Sequence, residues 1–302
     1  MTPEKSDDKL GIVLVTGGTD GLGRAAAVLL AERGYHVFAG GRNAARRLAL
    51  EQFAREKNLP LEVLDMDVCD VTSVNNAVSE IERRAGPVNI LVNNAGIAIG
   101  AMIEEIKLAD LRKQFETNFF GAIRVIQRVA PQMRQLRRGR IINMSSIAGK
   151  VAVPVMGPYS ASKHALEAAS DSLRLELFPF GVHVVLIEPG YIPTSMNQNA
   201  TELSSAYIHG GQTSPYRDVY LGFQSAWKKT TDSSPYAPED CARVILQAIE
   251  DDPPRARYLV TKEAKIANRM KWLLTDRAFD GGLVKRFGLD AARESLKKGA
   301  SK

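Results

Sequence analysis

The chain has 302 residues, 45% of them hydrophobic and 25% charged, enough for one large α/β domain or two small ones. The formal charge of +6 does not point to nucleic acid: residues 255–302 hold 13 Lys/Arg against 5 Asp/Glu, a net of +8, which leaves −2 on the first 254. Cys69 and Cys241 show no CxxC or Cys/His spacing, which speaks against a metal site and for a reducing, cytoplasmic compartment.

The N-terminal MTPEKSDDKL is charged and lacks the apolar core of a secretion signal, and no later run reaches the ~18 apolar residues of a membrane span. Residues Gly11 to Thr16 form a short β-branched run that Gly17 stops, which predicts a buried strand. The Ala/Leu-rich GLGRAAAVLLAERG, Gly21 to Gly34, predicts a helix closed by glycine. Tyr35 to Ala39 reads as a strand, Asn43 to Lys57 as a helix, Leu61 to Met66 as a strand, Val71 to Ala85 as a helix and Val88 to Val92 as a strand.

Glu104 to Leu136 contains one or two helices broken near Thr117 to Gly121, and Arg140 to Met144 is the next strand. A long helix across Tyr159 to Pro179, a strand Val182 to Glu188 and a helix Pro238 to Ile249 follow. Alternation at these lengths predicts a doubly wound parallel sheet, a Rossmann fold with helices on both faces. It forms one domain over residues 1–261, followed by a basic helical extension, 262–302.

Two regions depart from the alternation. Residues 195–235 carry Tyr207, Tyr216, Tyr220, Phe223 and Trp227 without a clear strand. Their position after a sheet strand suits a substrate lid, the alternative being a surface helix pair with aromatic core residues. In Lys262 to Gly288, Ile266, Met270, Leu273 and Leu274 recur at helical spacing among Lys265, Arg269 and Lys271. That amphipathic helix suits packing on the domain or a subunit neighbour, or peripheral contact with an anionic membrane surface.

Gly17, Gly21 and Gly23 in TGGTDGLG lie between the first strand and first helix, where glycines let backbone N–H groups approach a dinucleotide pyrophosphate. At the end of the second strand, where a carboxylate would accept from a ribose hydroxyl, the chain has Arg42. Its donor fork suits a 2′-phosphate and so NADP(H), with NAD(H) the alternative; Asp20 is an acid where a base would strengthen phosphate binding. Farther on, Tyr159 and Lys163 stand at i and i+4, on one helical face, after a strand that ends in Ser145 and Ser146.

TGGTDGLG, NNAG at Asn93 to Gly96, Asn118, Ser146, YSASK and PGYIPT together resemble the short-chain dehydrogenase/reductase family over about residues 10 to 260. Lys163 to Gly190 looks like its branch of hydroxysteroid and retinol dehydrogenases and carbonyl reductases. The resemblance implies Tyr159 as general acid/base, Lys163 as its electrostatic partner, Ser146 as the carbonyl-orienting hydroxyl and Asn118 as a structural and proton-relay residue. The family's separation of 13 residues between serine and tyrosine selects Ser146 over Ser145.

It further implies cofactor contacts at Gly17, Gly21, Leu22, Gly23, Arg42, Asp67, Val68, Asn94, Ala95, Gly96, Tyr159, Lys163, Pro189, Gly190, Ile192 and Thr194. Lys163 and an oxidised nicotinamide would both lower the phenol's pKa. The implied activity is hydride transfer between NADP(H) and an apolar secondary alcohol or ketone of steroid, retinoid or aryl type. Ile97, Val153, Val155, Met156, Tyr191 and Ile192 would flank the substrate, and the subunits would form a homodimer or homotetramer through the helices around the Ile141 strand. A non-catalytic cofactor-sensing or partner-binding protein of the same fold is the alternative; a damaged Asn/Ser/Tyr/Lys set would mark it, and the set is intact.

Overall fold

The computed structural model describes residues 11–208 and 214–300; the N-terminal MTPEKSDDKL, residues 209–213 inside the expected lid, and 301–302 lie outside the described residues. Seven parallel strands line up in the order β3-β2-β1-β4-β5-β6-β7. They are β1 Ile12–Thr16, β2 His36–Gly41, β3 Leu61–Asp65, β4 Ile90–Asn93, β5 Gly139–Met144, β6 Val182–Glu188 and β7 Arg257–Leu259. Six correspond to expected strands, with ends shifted by up to two residues. The seventh, three residues long and paired with Leu186 to Glu188, is too short to show a periodicity.

Because side chains alternate across a strand, each β-branched run feeds two cores. Val13 and Val15 pack with Leu30 of α1 (Gly21–Glu32), Leu50 of α2 (Ala44–Glu56) and Ile245 of α9 (Pro238–Glu250). Leu14 and Leu91 face the other way, onto Val78 of α3 (Val71–Arg84) and Val125 of α5 (Gly121–Leu136). Between β1 and β4 the strand order reverses, and every strand points its carboxyl end to one edge. That edge is where doubly wound sheets bind ligands.

The helix expected to break near Thr117 does so without a gap. Between α4 (Leu108–Phe115) and α5 lies a π-helical turn, Glu116–Phe120. The long helix α6 (Gly157–Leu177) begins two residues before Tyr159 with Pro158 in its first turn, where a missing N–H costs nothing.

The 195–235 region folds as two helices, α7 (Ser195–Ile208) and α8 (Arg217–Asp232). Tyr207, Tyr220 and Phe223 are buried with Ile99, Met102 and Val155 in a third core. The single C-terminal helix expected over Lys262 to Gly288 is instead two, α10 (Lys262–Leu273) and α11 (Asp276–Arg286), followed by α12 (Leu289–Ala300). Leu274 turns extended and Thr275 caps the new helix through its hydroxyl, which ends the expected apolar stripe at that point.

Candidate active site

The β1–α1 turn brings Gly17, Gly21, Leu22 and Gly23 to the carboxyl edge. Gly17 and Gly21 adopt φ of +61° and +50°, which a side chain would oppose. A Cβ on Gly23 would lie 2.3 Å from both the Gly17 carbonyl and the Asn94 amide. Asn94 Nδ2 donates to the carbonyls of Thr16 and Gly17, while the Thr16 hydroxyl accepts from the N–H groups of Asn94 and Ala95. The glycine turn and the NNAG segment are thus one hydrogen-bonded unit. First-turn N–H groups of α1 have no acceptors within the helix, which leaves an anion-binding cradle.

At the far end of that cradle Arg42 follows β2, and Asp67 and Val68 follow β3. Arg42 Nη1 donates to Asp67 Oδ2 at 3.3 Å, with its side chain 60% exposed, and a bond from the Cys69 N–H helps hold the Asp67 carboxyl low against a larger opposing effect of burial. Asp20 has a different role from the one its charge suggests. It caps α1 at the Gly21 N–H, binds Arg46 at 2.6 Å and accepts from the Ser195 hydroxyl. An acid that weakens phosphate binding on paper here anchors a second arginine beside the turn. Arg46 was not singled out in the sequence, because its partner lies 26 residues away.

β5 delivers the serines. Ser145 is 5% exposed and its Oγ has no partner among the described residues, whereas Ser146, partly exposed, caps the short 3-10 turn Ile147–Gly149 through the Ala148 N–H. Ser146 faces the site. Tyr159 and Lys163 lie on successive turns of α6, with Lys163 Nζ 5.8 Å from the centre of the Tyr159 ring and donating to the Met144 carbonyl at 2.7 Å. Asn118 sits in the π-helical turn, where its amide exchanges two bonds with the backbone of Ile97 and donates to the Ser162 hydroxyl. Ser162 donates in turn to the Tyr159 carbonyl at 2.7 Å. A Cβ on Gly96 would stand 3.3 Å from Asn118 Oδ1 and 3.8 Å from Lys163 Nζ, so all three converge.

Burial shifts both side chains. Burial pushes the Tyr159 phenol up to about 12, and Ser146 opposes it. The Lys163 ammonium is itself pushed down to about 8 by burial, against the pull of Glu167 one turn on. One of the three N–H donors of the Lys163 ammonium goes to the Met144 carbonyl.

Beneath the site lies a buried charge cluster that no motif announces. Glu167 Oε2 pairs with Lys150 at 2.7 Å and with Arg257 at 3.1 Å; Glu188 Oε1 is 3.1 Å from the same guanidinium. Burial, then Glu167, push Glu188 up to about 7. The only local signal is Glu167 at i+4 from Lys163.

A change of Lys163 to Met is expected to raise Tm at pH 7. The ammonium's pKa is lower folded, about 8, than its usual 10.5, so the unfolded chain binds the proton better, and Lys163 costs stability below pH 8 that is relieved as pH rises to 10.5. At ~1.4 kcal/mol per unit the cost reaches about 3 kcal/mol, offset by about 1 for the bond to Met144, a net gain of about 2 that shrinks between pH 8 and 10.5. Melting curves across that range check it; a variant less stable at pH 7 would contradict the buried-charge account.

After β6, Pro189 and Gly190 continue the edge. The Pro189 carbonyl accepts from the Ile147 N–H at 2.9 Å, and a Cβ on Gly190 would meet the Thr261 hydroxyl at 2.2 Å. Thr194 approaches the space above Gly21. Ile192 is buried in the core under α1 and α9, away from the third core that Ile97, Val153, Val155 and Met156 share or border. Tyr191 packs edge-on against Trp227. A cavity of about 290 Å³ beside Tyr191 is lined by Lys229, Thr230, Ser233, Glu263 and Arg286 and by none of the four residues Asn118, Ser146, Tyr159 and Lys163.

The model of the short chain dehydrogenase family matches residues 11–204, which include the glycine turn and all four of those residues. The chain belongs to the short-chain dehydrogenase family. An uncharacterized oxidoreductase of Bacillus subtilis (strain 168), YusZ, is 36% identical over 91% of this chain and 98% of its own. Retinol dehydrogenase 8 of Homo sapiens is 35% identical over 81% of this chain and 79% of its own. Among solved structures, an actinorhodin polyketide ketoreductase variant with NADPH superposes with a TM-score of 0.71, at 29% identity, over 83% of this chain and 95% of that one. As a short-chain dehydrogenase the chain is an oxidoreductase with the family's seven-stranded, helix-covered sheet. Among the described residues no cluster of His, Cys, Asp and Glu could hold a metal ion, and no helix is long and apolar enough to cross a membrane.

Proposed function

We propose that this short-chain dehydrogenase reduces an apolar ketone with NADPH, reversibly. The observation that carries the reading is the convergence of Asn118, Lys163 and Tyr159 beside the Gly96 gap at the carboxyl edge of the sheet. A nicotinamide dinucleotide bound along the carboxyl edge would supply the hydride. Its cradle fits: the φ-positive glycines of the β1–α1 turn and the Gly96 gap beside Lys163 leave room that side chains would fill.

The chain's own residues do the rest. Ser146 and Tyr159 aim two hydroxyls at one carbonyl oxygen and stabilise the charge that develops there. Tyr159 gives its proton to that oxygen as the alkoxide forms, and the reverse reaction returns it. Asn118 and Ser162 fix the first turn of α6, so the phenol is held in place before substrate arrives. In this reading Asn118 also links Tyr159 to a proton path. Arg42 after β2 and Arg46 beside the glycine turn offer guanidinium partners suited to a 2′-phosphate, which supports NADP(H) over NAD(H).

The third core supports an apolar substrate. α7 and α8 roof the loop after β4: the Ser204 hydroxyl accepts from the Gly100 N–H, and the Tyr220 hydroxyl from that of Met102. They act as the lid, their buried aromatics being its structural side. Two free cysteines fit a cytoplasmic location. Exposed Phe120, Leu175 and Phe178, on or beside α5 and α6, offer a face to a second copy, consistent with a homodimer or homotetramer.

Arg42→Ala is expected to raise KM for NADPH by about 10- to 100-fold, the worth of charge-assisted hydrogen bonds to a phosphate, and to leave NADH nearly unchanged. Initial rates with both cofactors against a panel of aryl, steroid and retinoid carbonyls and small sugars test the whole reading. Activity confined to polar sugars would overturn the substrate class, equal losses with both cofactors the NADP(H) assignment, and cofactor binding without any turnover would favour the non-catalytic alternative.

A further inference from the structure

Helix α10 turns its apolar stripe away from the protein. Ala264 is buried against the domain, while Ile266, Met270 and Leu273, at i, i+4 and i+7, are 60%, 45% and 64% exposed on the opposite side. Trp272, next to Leu273 in sequence but about 100° round the helix on the side of Lys265, is 83% exposed. Amphipathic helices in globular proteins bury such a stripe, so this one lacks the partner its pattern calls for. Exposed Lys262, Lys265 and Arg269 flank it, and with Lys271 against Glu263 they give the helix a net charge of +3. The helix docks on the 3-10 turn that follows Ser146, at the carboxyl edge of the sheet.

Charge decides which occupant fits. A second copy meeting this face about a two-fold axis would place the stripe on its own image and its cations against the same cations. Nucleic acid would meet the cations and leave the apolar row and tryptophan without a role. An anionic lipid surface satisfies both halves. Apolar side chains enter the acyl boundary, Lys and Arg reach phosphate headgroups, and an exposed tryptophan lies at headgroup depth.

We propose that α10 is an in-plane membrane anchor: Ile266, Met270 and Leu273 insert into an anionic bilayer, Lys262, Lys265 and Arg269 bind its headgroups, and the entrance to the active site is held near the lipid. The anchor stands whatever the substrate is, because its test reads binding without turnover.

The full chain is mixed with vesicles of phosphatidylcholine alone or with phosphatidylglycerol, and followed by co-sedimentation and tryptophan emission. Binding is expected to favour the anionic vesicles by roughly tenfold or more and to weaken at about 0.5 M salt, where charges are screened within a few Å. Emission should shift to the blue, and Trp272→Phe should abolish the shift while the protein still sediments. Ile266→Glu with Leu273→Glu should lose binding by at least about tenfold with Tm and ketone reduction in solution unchanged, since charges inserted in the acyl boundary are costly. A wild-type chain that stays in solution with anionic vesicles, or a double variant that binds as the wild type does, would overturn the proposal. So would loss of binding only on Lys265→Glu with Arg269→Glu, since that leaves the apolar stripe unused.

Discussion

Tyr159→Phe is expected to lower kcat for ketone reduction by about 10³-fold, within the range for a positioned general acid, while NADPH affinity and Tm stay near wild type. The substitution removes one oxygen from a side chain whose backbone is held independently, through the Ser162 bond to the Tyr159 carbonyl and the Asn118 bond to Ser162. The loss falls on kcat because the phenol's contribution is made as charge develops on the substrate oxygen. Ser146 remains to polarise the carbonyl, so some activity persists. Steady-state rates paired with NADPH titration separate the two quantities; near wild-type turnover would remove Tyr159 from the mechanism.

Gly23→Ala is expected to abolish cofactor binding, raising the NADPH Kd at least about 100-fold, and to cost about 3 kcal/mol of stability, combining overpacking with a lost hydrogen bond. Its Cβ would sit 2.3 Å from the Gly17 carbonyl and from Asn94 Nδ2. Neither can yield cheaply, because Asn94 Nδ2 already bridges the carbonyls of Thr16 and Gly17. Gly281→Ala is the matched control: it lies in α11 with nothing within 4 Å of the added atom, so it should be neutral or gain up to about 1 kcal/mol from helix propensity. Calorimetry and NADPH fluorescence titration on both variants check the contrast. Equal behaviour would mean that the turn tolerates a side chain there.

The alternation of strands and helices was legible because each depends on local pattern. IVLVT and VHVVLIE are β-branched runs that can be little else, and the four residues Asn118, Ser146, Tyr159 and Lys163 fall at the edge their spacing implies. What escaped depends on distance in the chain. β7 is three residues that become a strand only by pairing with β6, and the break at Leu274 depends on how Thr275 is used. Asp20 reads as a defect until Arg46 and Ser195 arrive from elsewhere, and the Glu167 to Arg257 pair spans 90 residues.

Where the Lys163 ammonium points was not legible from its spacing. Proximity along a helix fixes neither where an ammonium points nor how strongly burial opposes charge, and here the ammonium points to the Met144 carbonyl.

The central claim is that hydride passes to a carbonyl carbon while Tyr159 protonates its oxygen. The direct measurement is reduction of an aryl ketone with NADPH carrying deuterium at C4, with mass analysis of the alcohol and the same assay on Tyr159→Phe. Deuterium on the carbinol carbon, formed by the wild type and suppressed by about 10³-fold in the variant, is the result predicted here. An alcohol carrying only solvent hydrogen at that carbon, or undiminished transfer in the variant, would contradict it.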